Sequence, residues 1–239
     1  MGLSLLPLRV ATARPVVSTL HALGASKNGV RQGPRVPAAA LTFDDGPHPE
    51  WTPRVLDALS EAGARATFFV LGRHAAECPE VIREARRRGH EIGTHLYTHD
   101  RGTVRSDADF ARELAESREI IEQAIGEPIR WLRFPYGERG HQRLRNVERD
   151  HGLRVAHWTA SSHDSRLRDP AAIVARAAAG LRPGAILLFH DRLADAGPDL
   201  PARYVASRDA SIAALPGLFR VMSRRGLAAV TMSELFGGK

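Results

Sequence analysis

From Ala38 onward, short apolar runs alternate with stretches in which apolar residues recur at helical spacing. The first kind reads as buried strands: Ala39–Phe43, Ala66–Val70, Glu91–Thr94, Trp131–Arg133, Arg154–Trp158, Ala185–Phe189 and Ala228–Thr231. The second reads as helices over Thr52–Ala62, Glu80–Arg88, Asp107–Ile125, Gln142–His151, Pro170–Ala179 and Ser211–Arg225. Several of these helices run into a glycine (Gly63, Gly89, Gly126, Gly180, Gly226), the residue best able to leave a helix. Strands that alternate with helices are joined by crossovers and lie parallel. The expectation is an α/β fold of seven parallel strands, one domain over residues 38–239.

Residues 1–37 break this rhythm and read as an N-terminal extension. Leu3 to Val10 is apolar but short, and Pro7 and Arg9 interrupt it. No basic residue precedes it and no clean small-residue cleavage site follows, so a conventional signal peptide is not expected. A short helix is expected around Val16–Leu23, and Gly24–Pro37 reads as a linker. No run of eighteen apolar residues exists, so no transmembrane helix is expected. The default localisation is then cytoplasmic, with peripheral membrane attachment or export left open.

Composition narrows the function classes. A chain of 239 residues with 43% apolar content is long enough for one α/β barrel of roughly 200–250 residues. The single cysteine, Cys78, excludes an intrachain disulfide and a cysteine metal cage. The net charge of +7 comes from scattered arginines, not from a stripe interleaved with aromatics. The densest run, Arg86-Arg87-Arg88, ends a helix, where positive charge suits the helix dipole. Nucleic acid is therefore not an expected partner.

The chemistry gathers at the strand ends. Asp44 and Asp45 follow the first strand, His95 the third, and His190 the sixth; Arg133 ends the fourth, and Asp164 lies in the loop after the fifth. In a parallel barrel these ends share one face, where active sites are built. Adjacent acids before Gly-Pro most often just begin a turn, and single histidines are usually surface or core residues. Their combination changes the weighing. One carboxylate with His95 and His99 gives three ligands and leaves a fourth position open, as in a catalytic zinc site, and the second carboxylate is free to act as a base. On a helical turn, residues four apart carry Cβ atoms about 5–6 Å apart, close enough to share one ion. His90 reads as a turn residue, and His48, His74, His141, His151 and His163 as solvated, with His48 and His163 able to line the cleft.

The chain resembles the polysaccharide deacetylase family, also called the NodB-homology domain or carbohydrate esterase family four. The resemblance runs from about Leu41 to Ser233. It rests on Thr42-Phe43-Asp44-Asp45-Gly46-Pro47, the strand Ala66–Val70, the pair His95 and His99, Arg133-Phe134-Pro135-Tyr136-Gly137, and Leu188-Phe189-His190. It implies a distorted (β/α)7 TIM-like barrel and a metal-dependent hydrolase that removes N-acetyl groups from an amino-sugar polysaccharide or oligosaccharide. The implied ligands of a divalent metal, in first place zinc, are Asp45, His95 and His99. Asp44 becomes the general base, which agrees with the loss of basicity that a cation imposes on a ligating carboxylate. The resemblance has Arg133 orient Asp44, the Tyr136 backbone N–H donate to the oxyanion, Pro135 fix that loop, Leu188 line the pocket for the acetyl methyl, and His190 act as general acid.

Two departures accompany the likeness. In the fourth motif, usually D-x-x-D-W, Ser161 and Ser165 replace the first aspartate and the tryptophan, so only Asp164 survives, able to partner Arg133 or to tune His190. Leu96 stands where Ser or Thr commonly follows the first histidine and helps to hold its loop. The rival readings are an O-acetyl esterase, a hydrolase of small amides or cyclic imides on the same scaffold, and a catalytically weak carbohydrate-binding protein. The substrate sugar, its length and the oligomeric state are not legible.

Overall fold

A computed structural model describes residues 29–100, 106–137, 147–194 and 207–237. Its strands are β1 (Ala38–Asp44), β2 (Thr67–Val70), β3 (Glu91–Thr94), β4 (Trp131–Leu132), β5 (Arg154–Val155), β6 (Ala160–Ser161), β7 (Ile186–His190) and β8 (Ala228–Val230). Its helices are α1 (Trp51–Glu61), α2 (Gly72–Glu77), α3 (Pro79–Arg87), α4 (Asp107–Ile125), α5 (Pro170–Ala179), α6 (Asp209–Arg224) and α7 (Met232–Leu235). The expected helix at Val16–Leu23 lies outside the described residues, as do 142–146 of the helix expected over Gln142–His151, whose end is helical at 147–151.

All the ladders are parallel, in the order β5-β4-β3-β2-β1-β7-β6, and the sheet curls into an open barrel. β8 adds to the first half of β1, at Ala38–Ala40, while β2 takes the second half, at Thr42–Asp44. Alternation along β1 explains the layering. Ala39, Leu41 and Phe43 face outward and join Val55, Leu56 and Leu59 of α1 in the main core. Phe43 stacks on Phe68 at 5.1 Å and meets Phe189 at 5.9 Å. Ala40 faces inward, with Phe69, Trp131, Ile186, Met232 and Leu235 filling the barrel floor.

The strand expected over Arg154–Trp158 is cut to Arg154–Val155, and a further short strand, Ala160–Ser161, follows it. Val30 intervenes: its N–H donates to Val155 O at 2.7 Å, and its carbonyl accepts from His157 N at 2.7 Å. On its other side the chain still bonds β4 through Ala156 N to Leu132 O at 2.8 Å, then leaves it and re-enters the sheet as β6 against β7. Part of the segment read as linker is thus packed. Val30 is buried, and Gly33 N donates to Gly184 O at 2.8 Å. The ends of α4 follow its sequence: Ser106 Oγ accepts from Asp109 N at 3.0 Å, and Gly126 leaves the helix at φ 75°.

Candidate active site

Thr42 and Asp44 point into the barrel from β1. A regular strand would turn the next side chain away. Asp45 instead takes a left-handed backbone at φ 73°, which Asp tolerates better than most residues, and both carboxylates face one centre. His95 Nε2 is 3.4 Å from Asp45 Oδ1 and 3.9 Å from Asp44 Oδ2, and His99 Nε2 is 3.5 Å from Asp45 Oδ1. Asp45, His95 and His99 each offer a ligand atom within 4.8 Å of the others.

This trio fits a cation. Asp45 Oδ1 is buried and accepts no hydrogen bond, although Oδ2 accepts from Ala194 N at 3.0 Å. His95 Nδ1 lies 2.7 Å from the Arg133 carbonyl, which can only accept, so the proton sits on Nδ1 and Nε2 keeps its lone pair for a metal. Burial alone would raise the Asp45 carboxyl, but His95, His99 and His190 outweigh it and hold the group well below the usual carboxylate range. Burial lowers the His99 imidazole to about 4, with Asp45 opposing, so that ring stays neutral and able to ligate near pH 7.

His95 and His99 do not lie on a helical turn. Leu96 and His99 have φ of 67° and 65°, and the loop is held from outside. Leu96 N donates to Thr94 Oγ1 at 3.0 Å, while Gly72 N donates to the Leu96 carbonyl at 2.9 Å. Glu113, projecting from α4, accepts from Tyr97 N at 3.0 Å and Thr98 N at 2.8 Å through Oε2, and from the Thr98 hydroxyl at 2.9 Å through Oε1. Leu96 itself is fully buried in the core.

Arg133 is fully buried. Its Nη1 donates to Asp44 Oδ1 at 2.6 Å and to Thr42 Oγ1 at 2.8 Å, and its Nη2 donates to His157 O at 3.1 Å. The guanidinium lies 4.1 Å over the Phe69 ring. Asp164 therefore takes only one of its two expected partners. It pairs with His190, not Arg133, whose Nη donors are directed at Asp44, Thr42 and the His157 carbonyl. His190 Nδ1 lies 2.8 Å from Asp164 Oδ1, and His190 N donates to Asp164 Oδ2 at 2.9 Å. Ser162 and Ser211 hydroxyls donate to the same carboxylate at 2.9 and 2.8 Å. Burial would lower the His190 imidazole, but the Asp164 charge and hydrogen bond, with Asp45 and Asp44, carry it up to about 9.

Pro135, Tyr136 and Gly137 form a short 3-10 turn, with Tyr136 at φ 58°. Tyr136 is 51% exposed, and its ring centroid lies 4.5 Å from that of His99. Trp158 packs so closely on Gly137 that a β-carbon there would strike the indole. An aromatic wall thus reaches this edge although Ser165 supplies none. Leu188 is buried two residues before His190, on the same face of β7.

Two contributors escaped the sequence. His74 is buried, not solvated, and its Nδ1 donates to the Asp45 carbonyl at 2.7 Å from within α2. Asp191, fully buried, accepts from Thr52 Oγ1 at 2.5 Å beside Gly46; burial, with Asp45 and Asp44 nearby, pushes its carboxyl up to about 7 despite the Thr52 bond. Glu113 did leave a signal: it is an acid on the inner stripe of α4, between Phe110, Leu114, Ser117 and Ile121.

Residues 31–156 match the polysaccharide deacetylase profile. The chain belongs to the polysaccharide deacetylase family. It is similar to a chitooligosaccharide deacetylase of Sinorhizobium fredii, at 38% identity over 82% of this chain and 90% of that one. A solved peptidoglycan N-acetylglucosamine deacetylase superposes with a TM-score of 0.78 at 26% identity, covering 87% of this chain and 92% of the other. A family 4 carbohydrate esterase from Streptomyces lividans, crystallised with acetate, gives 0.69 at 31% identity over 80% and 91%. These likenesses carry the curled (β/α)7 architecture and support deacetylase activity.

Proposed function

We propose that this polysaccharide deacetylase homologue is a metal-dependent N-deacetylase of N-acetylglucosamine-containing oligosaccharides or polysaccharides. The observation that carries this reading is the pairing around the trio: Asp44 with Arg133 on one side, His190 with Asp164 on the other. A binding module has no need of an oriented base and an oriented acid flanking one set of ligands.

Asp45, His95 and His99 would hold the ion, zinc in first place. A divalent ion there supplies a Lewis acid that polarises the amide carbonyl and makes water more acidic. Asp44, held by Arg133 and not needed as a ligand, takes the proton from the attacking water. The Tyr136 backbone N–H donates to the developing oxyanion, with Pro135 fixing the turn that aims it. Leu188 lines the pocket for the acetyl methyl. His190 donates its proton to the departing amine, and Asp164 keeps that imidazole charged and oriented. The products are acetate and a free amino sugar. The relatives' names, for chitooligosaccharide and for peptidoglycan N-acetylglucosamine, support this substrate class.

The test is acetate release from N-acetylated chito-oligosaccharides and peptidoglycan fragments, run beside O-acetylated xylan and small amides. Release from the N-acetyl sugars alone is expected. Turnover confined to esters or small amides would refute the assignment.

A further inference from the structure

We propose that Glu113 is a positioning residue for the metal site, acting through the loop that carries His99. The proposal rests on the reading that Asp45, His95 and His99 hold a cation. Neither dihedral preference nor helical hydrogen bonding keeps His99 in place: Leu96 and His99 both stand in the left-handed region, and the loop between them is not helical. A backbone so strained persists only when its surroundings over-determine it.

Glu113 supplies that determination. One carboxylate gathers two successive N–H groups, of Tyr97 and Thr98, and the Thr98 hydroxyl, all within 3.0 Å. These are the residues immediately before His99. The carboxylate is buried on α4, a nineteen-residue helix packed into the core through Phe110, Leu114 and Ile121, so the anchor is rigid. Leu96 brings no hydroxyl to this loop, and its side chain is turned into the core. Thr94 Oγ1 on Leu96 N and the Gly72 and Arg73 N–H groups on the Leu96 and Tyr97 carbonyls hold the start of the loop, while the Tyr97 and Thr98 N–H groups, next to His99, fall to Glu113. Losing Glu113 would leave two half-buried N–H groups without their carboxylate and let His99 leave the geometry it shares with Asp45.

The shape of the contact dictates the variants. Glutamine keeps an oxygen for the two N–H groups at the same reach. Aspartate keeps the charge but is one methylene short. Alanine removes both. The test measures Zn2+ and Co2+ dissociation constants by competition with a chromophoric chelator, and the visible spectrum of the cobalt form, on the full chain. Glu113→Ala and Glu113→Asp should bind about 10–100-fold more weakly with an altered cobalt spectrum, while Glu113→Gln stays within about threefold of wild type. If Glu113→Ala does not fold, the aspartate and glutamine pair decides. Wild-type affinity and spectrum in Glu113→Asp, or loss in Glu113→Gln equal to that in Glu113→Asp, would overturn the positioning role alone. A wild-type chain that binds neither ion would overturn it together with the metal reading.

Discussion

Arg133 and Asp44 form a buried ion pair, Nη1 to Oδ1 at 2.6 Å, with Thr42 on Nη1, the His157 carbonyl on Nη2 and the Phe69 ring beneath the guanidinium. The pair is enclosed on every side, so its loss has two separable consequences. Arg133→Ala leaves Asp44 as an uncompensated buried charge and should lower stability by about 3–5 kcal/mol. Arg133→Lys keeps a charge but cannot reproduce the planar fork, so it should fold yet lose at least about tenfold in kcat. Urea unfolding and steady-state acetate release check the two effects. A lysine variant with unchanged kcat would show that the orientation of Asp44 does not matter.

The second pair predicts a pH signature. His190 is raised to about 9 in the folded protein, above the ordinary imidazole value. Its stabilising contribution is therefore complete below about pH 6.5 and is lost as pH rises through about 9. Asp164 is shifted the other way, because the His190 charge and hydrogen bond, Arg208 and Ser211 outweigh burial. Its contribution is present above the ordinary carboxylate pKa and is lost as pH falls through the depressed value. In the proposed mechanism His190 is the acid catalyst and would set the alkaline limb of kcat/KM. Asp164→Asn should move that limb to lower pH by about 1–3 units. A bound ion lowers the limb in both proteins, so the difference between them is the observable.

Much of the fold was legible because its signals are long or repeated. The strand Ala38–Asp44 and the helices ending at Gly63, Gly89 and Gly126 combine burial, spacing and a stop residue. Elements without those signals were not: β6 is two residues long, α2 six and α7 four. The candidate ligands Asp45, His95 and His99, which the structure brings together, were legible as residue types at strand ends, but the His95–His99 backbone was not. Helical spacing and a positive-φ loop place the same two side chains together, and the sequence carries no mark of which is used. His74 and Glu113 act on main-chain atoms of the ligand loops, a role that leaves no motif of its own.

Gly46 tests the tightness of the first ligand turn. A β-carbon there would fall on the Asp191 carboxylate, which is itself fixed by Thr52. Gly46→Ala should lower stability by about 1–3 kcal/mol and weaken zinc binding, since the displacement reaches Asp45 directly. Differential scanning calorimetry with and without zinc separates the two losses. A variant with wild-type stability and affinity would mean that Asp191 moves freely.

Metal removal should be reversible and should be felt in the fold. Dialysis against a chelator is expected to abolish acetate release, and added zinc to restore it. Zinc at about 100 times its dissociation constant should stabilise the chain by about 2.7 kcal/mol. A melting temperature indifferent to zinc would argue against binding at this site.

The division of labour between the two adjacent acids is tested most directly in Asp44→Asn, an isosteric change that keeps an acceptor for Arg133. Zinc content and acetate release should be measured on the same sample. About one zinc ion per chain is expected, as in the wild type, with kcat lowered about 10²–10⁴-fold. Near-normal turnover, or loss of the zinc, would contradict it.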